Sequence, residues 1–126
     1  MRVVVYGMAR ARLVELVRAH SGEETNVRAM SDYEASMDLL AGKADIGIGV
    51  CQSGAGGALA VARAVLGSQL CLQVASPSRP PNKEDIDAGI EAGKKAFGIA
   101  LSHVDAAVPM IMSACRARIA ANPEAH

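Results

Sequence analysis

The sequence predicts an α/β fold, a three-layer sandwich around a mostly parallel five-stranded sheet, Rossmann-like or flavodoxin-like in organisation. Three observations predict it. Short β-branched runs alternate five times with helical periodicities, the connections between them are short, and the first strand is a continuous apolar run of the kind buried on both faces. Such alternation calls for right-handed β-α-β crossovers that place helices on both sides of the sheet. At 126 residues the chain fits one domain, 1–126, large enough for one hydrophobic core.

Residues 3–6, Val-Val-Val-Tyr, form the first strand, ended by Gly7. Leu13, Leu16 and Val17 at helical spacing, with Arg10, Arg12, Glu15 and Arg18 opposite, predict a helix that stops near Ser21-Gly22. A second strand covers 26–30. Ser31-Asp32 caps a helix whose apolar residues are Tyr33, Met37, Leu39 and Leu40, closed by Gly42. The third strand, 45–50, alternates glycine with β-branched residues, a sign that another backbone or a ligand comes close.

An Ala-rich helix is expected over 57–66 and a fourth strand over 69–75. Residues 76–81, Ser-Pro-Ser-Arg-Pro-Pro, break the chain into a loop near the site. Asn82 caps the next helix, and Glu84, Asp85 and Asp87 follow where the helix dipole favours acids. A short fifth strand spans 96–101. The last helix begins after Ser102, runs to about Ala121, and is expected to kink or restart at Pro109.

Composition narrows the function classes. Hydrophobic residues make up 51% of the chain, which argues for a packed core. The aromatics are Tyr6, Tyr33 and Phe97 alone, too few for a base-stacking platform. Thirteen basic residues balance thirteen acidic ones, and no basic stripe is present, so no nucleic-acid partner is expected. Near-neutrality with much apolar surface favours a homo-oligomer. The N-terminus reads as a strand rather than a signal peptide, and no run approaches the ~18 apolar residues a membrane span needs, so no membrane insertion is expected. Cys51, Cys71 and Cys115 are odd in number and lack metal-ligand spacing, which points to free thiols and a cytoplasmic location. No metal and no cofactor are implied.

The chemistry concentrates in the glycine-rich loop 51–57, Cys-Gln-Ser-Gly-Ala-Gly-Gly. It follows a central strand and precedes a helix, where open α/β sheets bind ligands. Gly54, Gly56 and Gly57 let backbone N–H groups approach an anion, the helix N-terminus adds partial positive charge, and Gln52 and Ser53 offer polar side chains. The same dipole favours the Cys51 thiolate. Arg10 and Arg12 follow the first strand and could reach a bound phosphate, Ser78 and Arg79 follow the fourth and could close over the same ligand, and His103 follows the fifth and is the histidine placed for acid–base work. Each has a plainer alternative: a structural turn for the glycines, a core position for Cys51, solvated faces for the arginines, a helix start for His103. Cys71 and Cys115 read as core residues, His20 and His126 as surface ones, and Asp32 and Asp45 as turn or capping residues.

Residues 42–56, Gly-Lys-Ala-Asp-Ile-Gly-Ile-Gly-Val-Cys-Gln-Ser-Gly-Ala-Gly, resemble the central motif of B-type ribose-5-phosphate isomerases and their galactose-6-phosphate relatives. That resemblance implies a sugar-phosphate site with Cys51 as proton-abstracting base and Ser53 in the place of a threonine. The chain departs from it at Gly7-Met8-Ala9, where those isomerases carry an Asp–His pair, and their later histidine and arginine cluster is not recognisable.

A longer resemblance runs through Gly7-Met8-Ala9-Arg10, the Ser31-Asp32 helix start, 51–60, Leu66-Gly67, Pro80-Pro81, Lys95-Ala96-Phe97-Gly98, His103 and Val108-Pro109. It is similar to the YhfU-like family, which implies a bacterial cytoplasmic protein and no assigned activity. The leading expectation is a module that binds a phosphorylated sugar or similar small anionic metabolite at loop 51–57. The alternatives are an aldose–ketose isomerase using Cys51, a phosphocarrier-like subunit of a sugar uptake system, and a structural subunit without ligand.

Overall fold

The computed structural model describes residues 1–121. In chain order the elements are β1 (Arg2–Gly7), α1 (Arg10–Ala19), β2 (Asn26–Ala29), α2 (Asp32–Leu40), β3 (Ile46–Cys51), α3 (Gly56–Leu66), β4 (Cys71–Ala75), α4 (Lys83–Glu91), β5 (Ala96–Ala100) and α5 (Val104–Ala121). Every strand pair is parallel, in the order β2-β1-β3-β5-β4. The α/β expectation therefore holds, with a sheet parallel throughout the described residues.

Two cores flank the sheet. Val3, Val5, Ile48, Val50, Phe97 and Ile99 point toward α1, α4 and α5, which contribute Leu13, Ile86, Val108 and Ile111 among others. Val4, Tyr6 and Ala96 point the other way, against Ala35 and Leu39 of α2 and Ala58, Leu59, Ala62 and Leu66 of α3. On this second face the central strands are nearly bare. A Cβ at Gly49 would overlap the Tyr6 ring and lie 2.8 Å from the Ala58 carbonyl, and one at Gly98 would overlap the Gly54 carbonyl and press on Leu59. The alternating glycines of β3 thus admit the Tyr6 ring and the backbone of α3, and not a ligand.

That tight face explains where α2 departs from expectation. Tyr33, Met37 and Leu40 are exposed, and Ala35, Ser36 and Leu39 are the buried positions. With the Tyr6 ring already spread over β3, room is left for small side chains, and Leu39 fits because Gly47 has no Cβ in its way. Buried Ser36 is satisfied locally, its hydroxyl donating to the Asp32 carbonyl at 2.8 Å.

Three smaller differences follow from turns. A 3-10 turn, Ser68–Leu70, delays β4 to Cys71, and another, Leu101–His103, ends β5 at Ala100. Of the kink or restart expected at Pro109, the restart is absent, for α5 runs through it. The carbonyl that Pro109 leaves without its helical partner belongs to exposed Asp105, where solvation replaces the lost bond. Caps are as expected at α2 and α4. Ser31 and Glu34 form a capping box, and the Asn82 side chain accepts from the Asp85 N–H. Asp45 is a turn residue as expected, accepting from the Arg2 N–H at 2.7 Å and pairing with its guanidinium at 3.1 Å. Burial alone would raise the Asp45 carboxyl, but its hydrogen bonds from Arg2 outweigh this and hold it below the ordinary carboxylate range.

Among the described residues the Tyr6 hydroxyl has no hydrogen-bond partner, although the residue is buried. Burial holds its pKa well above the ordinary phenol value. A buried hydroxyl without a partner carries its desolvation cost uncompensated. Tyr6→Phe is therefore expected to leave the protein as stable or to raise its stability by about 1 kcal/mol in urea denaturation. A loss of that size would mean that the hydroxyl is bonded after all.

Candidate functional site

The direction of winding reverses between β1 and β3: the chain leaves β1 toward β2 and leaves β3 toward β5 and β4. Open α/β sheets form their binding crevice beyond the carboxyl ends of the two strands at such a point. Here those ends are adjacent, with Gly7 beside Val50 in register and the Met8 N–H donating to the Val50 carbonyl at 2.8 Å. Cys51, the last residue of β3, opens the loop at this crevice and is half-buried.

The loop wraps its amides around two side-chain atoms. The Gly54 N–H donates to Cys51 Sγ at 3.2 Å, and Ser53 Oγ lies 3.6 Å from the same sulfur. Ser53 Oγ in turn accepts from the Ala55 and Gly56 N–H groups at 3.2 and 3.1 Å. Partial burial by itself would raise the Cys51 thiol. The Ser53 hydroxyl and the N–H groups of Ala58, Gly54 and Ser53 outweigh it and hold the thiol below its ordinary value. Burial raises both other cysteines, Cys71 modestly and Cys115 up to about 12, in keeping with their core positions.

The three loop glycines differ in kind. Gly54 has φ +82°, and a Cβ there would overlap the Ala75 carbonyl, so the turn requires it. Gly56 and Gly57 have ordinary φ and are exposed; added Cβ atoms would meet Ser53 Oγ at 3.5 Å and Cys51 Cβ at 3.7 Å, ordinary contacts. Packing does not require glycine at either position. What glycine does there is leave open the space above Ser53 and Cys51.

The helix starts show a second contrast. At the edge strands, α2 and α4 begin with side-chain caps and with acids in the first turn, Asp32 and Glu34 in one, Glu84 and Asp85 in the other. At the winding reversal, α1 and α3 have alanines at the cap position, Ala9 and Ala55, with no side-chain cap bond and no acid in the first turn. Ala9 is also held at φ 56°, a left-handed conformation that costs a non-glycine residue roughly 1 kcal/mol. The positive ends of these two dipoles are left without an internal anion.

The remaining expected residues lie around this centre at different removes. Arg10 is the first residue of α1 and exposed at the β1 exit. Its neighbour Arg12 is committed to Asp105 at 3.0 Å and Glu15 at 3.4 Å. Gln52 is exposed at the head of the loop. His103 lies three residues beyond Ala100, the register partner of Cys51, and its Nε2 is buried with no partner among the described residues. Arg79 sits two strands away at the exit of β4, its guanidinium donating to the Gln73 carbonyl at 3.3 Å. His20 is half-buried at the C-cap of α1, and His126 lies outside the described residues.

Sequence reasoning missed Gln73. Its side-chain amide donates to the Ser53 carbonyl at 3.0 Å, tying β4 to the loop. The signal was present, an amide in the middle of the strand Cys-Leu-Gln-Val-Ala. A cavity of about 880 Å³ lies elsewhere, at the amino ends of β1 and β3 beside α5, among Arg2, Asp45, Lys95, Cys115 and Ile119. It collects none of the loop residues. Among the described residues no three metal-ligating side chains gather, and no helix is long and apolar enough to cross a membrane.

Residues 1–115 match the family described as protein of unknown function DUF2620. The chain belongs to that family. It is 34% identical over 112 residues to the uncharacterized protein YhfU of Escherichia coli strain K12, covering 89% of this chain and 96% of the relative, and to the same degree to YhfU of Shigella flexneri. Among solved structures it is similar to the type B ribose 5-phosphate isomerase of Trypanosoma brucei (TM-score 0.61, 18% identity, 91% of this chain and 85% of that one). It is likewise similar to a ribose 5-phosphate isomerase of Thermotoga maritima (TM-score 0.60, 14% identity, 90% and 83%). At these identities the likeness is one of fold. This chain thus shares its overall fold with those enzymes.

The loop geometry has a direct chemical consequence. Iodoacetamide is expected to label Cys51 in the folded protein with a pH midpoint below that of an ordinary thiol, while Cys71 and Cys115 stay unlabelled until denaturant is added. Peptide mass spectrometry of the labelled protein reads this out, and comparable labelling of all three cysteines under native conditions contradicts it.

Proposed function

We propose that the loop 51–57 binds a small anionic metabolite, a phosphorylated sugar or a compound like it. The observation that carries this reading is the pair of helix starts at the winding reversal. Both α1 and α3 start there with alanine at the cap position and no acid in the first turn, the neutral Ser53 hydroxyl being the acceptor at α3, whereas α2 and α4 are capped by their own side chains and acidic. An anion seated between them would supply the negative charge that the chain itself withholds. Gly56 and Gly57 keep the approach clear, Ser53 and Gln52 offer polar contacts, and Arg10 stands at the neighbouring strand exit for a phosphate. Arg79 could join only by releasing Gln73. The shared fold with ribose 5-phosphate isomerases supports a sugar-phosphate ligand over other anions.

A second reading, isomerisation, is favoured by the state of Cys51. A thiolate at the crevice can take the proton from a carbon next to a carbonyl, leaving an enediolate beside the acid-free start of α3. His103 is the candidate partner for moving protons between oxygens, and its unbonded Nε2 is consistent with that duty.

Binding is tested by thermal denaturation with inorganic phosphate and a panel of pentose and hexose phosphates. One or more of these is expected to raise the melting temperature, and a panel without any shift sinks the reading. Gly57→Ala separates site from scaffold: it is expected to hold or raise stability by about 0.5 kcal/mol while weakening the ligand-induced shift. Cys51→Ser should retain that shift. Loss of an aldose–ketose conversion in Cys51→Ser would carry the second reading, and an unchanged rate would end it.

A further inference from the structure

We infer that Gln73, together with Gly98, is the positioning pair that turns the Gly54 N–H toward Cys51 and the Ala55 N–H toward the Ser53 hydroxyl beside it. The two residues face each other in register across β4 and β5, and β4 bulges immediately after Gln73. A bulge re-aims the side chains of its strand. Gln73 uses that aim to donate from Nε2 to the Ser53 carbonyl, 20 positions earlier in the chain, at 3.0 Å. Gly98, lacking a Cβ, gives the next carbonyl, that of Gly54, a seat directly on the sheet.

The planar trans peptide converts these two grips into direction. In each peptide unit the C=O and the following N–H point opposite ways. Holding the Ser53 carbonyl toward β4 therefore sends the Gly54 N–H toward Cys51 Sγ, which it meets at 3.2 Å. Seating the Gly54 carbonyl on Gly98 sends the Ala55 N–H toward Ser53 Oγ, which it meets at 3.2 Å. Ser53 Oγ is itself 3.6 Å from the sulfur. Two of the groups that face the sulfur, the Gly54 N–H and the Ser53 hydroxyl, are thus set by residues on strands 20 and more positions away. The Gln73 carbonyl accepts from Arg79, so the segment after β4 is joined to the same line of contacts.

The functional meaning of this arrangement rests on the reading of the loop given above, but its geometry does not need a ligand. The test is the pH dependence of Cys51 alkylation by iodoacetamide, followed by mass spectrometry, in the wild type and in Gln73→Met, which keeps the side-chain length and removes the donor. Gln73→Met is expected to move the midpoint toward the ordinary thiol range and to slow labelling at neutral pH by about three- to tenfold, with little change in melting temperature. Gly98→Ala is expected to move it the same way. A folded Gln73→Met protein with an unchanged midpoint overturns the inference. A measurement on the wild type stands beside it: the Gln73 side-chain amide protons should exchange with solvent far more slowly than those of an exposed glutamine such as Gln52, and equal rates also overturn it. Should no phosphate compound bind while the midpoint still moves, the ligand reading falls and the positioning role remains.

Discussion

The close approach of α3 to the sheet governs the rest of the molecule. Helices pack on sheets at a distance set by the side chains between them, and here the central strands present Gly49 and Gly98 at the contact. The first turn of α3 and the loop before it come down until backbone meets backbone. That descent spreads the Tyr6 ring across β3 and restricts α2 to alanine, serine and one leucine on its inner face. It also presses the Ser53 and Gly54 carbonyls onto β4 and β5. The Gly54, Ala55 and Gly56 N–H groups are left pointing at Cys51 and Ser53.

On the proposed reading, backbone dipoles supply much of the positive field at the crevice. Two helix dipoles end at the reversal between β1 and β3, and neither meets a carboxylate from its own first turn; at α3 the acceptor is the neutral Ser53 hydroxyl. Side-chain cations contribute less than the sequence suggests, because Arg12 is spent on Asp105 and Glu15 and Arg79 on the Gln73 carbonyl. Backbone dipoles are fixed in direction and need no reorganisation when a charge arrives. The same fixed amides act on the nearest polarisable atom already present, the Cys51 sulfur, and tilt it toward the thiolate.

Much of this was legible in one dimension, and the illegible part has a common cause. The strands and helices could be read because their periods are local, and the caps at Ser31 and Asn82 because a cap acts within three residues. Cys51, Ser53 and the glycines could be singled out because they are contiguous. Gln73 could not, since its importance lies in a bond to Ser53 across 20 positions and depends on a bulge that no local rule places. Tyr33, Met37 and Leu40 look like a core stripe by spacing alone. They are exposed because the sheet face they would cover is already filled by Tyr6 and α3. Gly56 and Gly57 cannot be told from Gly54 by sequence, yet one is demanded by a positive φ and the other two are not.

The amino-acid order by itself determined the five-fold alternation, the parallel winding, and a glycine-laden turn with a thiol at a strand end. Periodicity, capping and turn chemistry act over a few residues, so a linear reading reaches them. Tertiary structure alone decided the strand order β2-β1-β3-β5-β4, which exits become neighbours, which arginines are already paired, and which way each loop amide faces. Those are settled by contacts between distant segments under close packing, and a peptide plane gripped from another strand has no signature in its own neighbourhood.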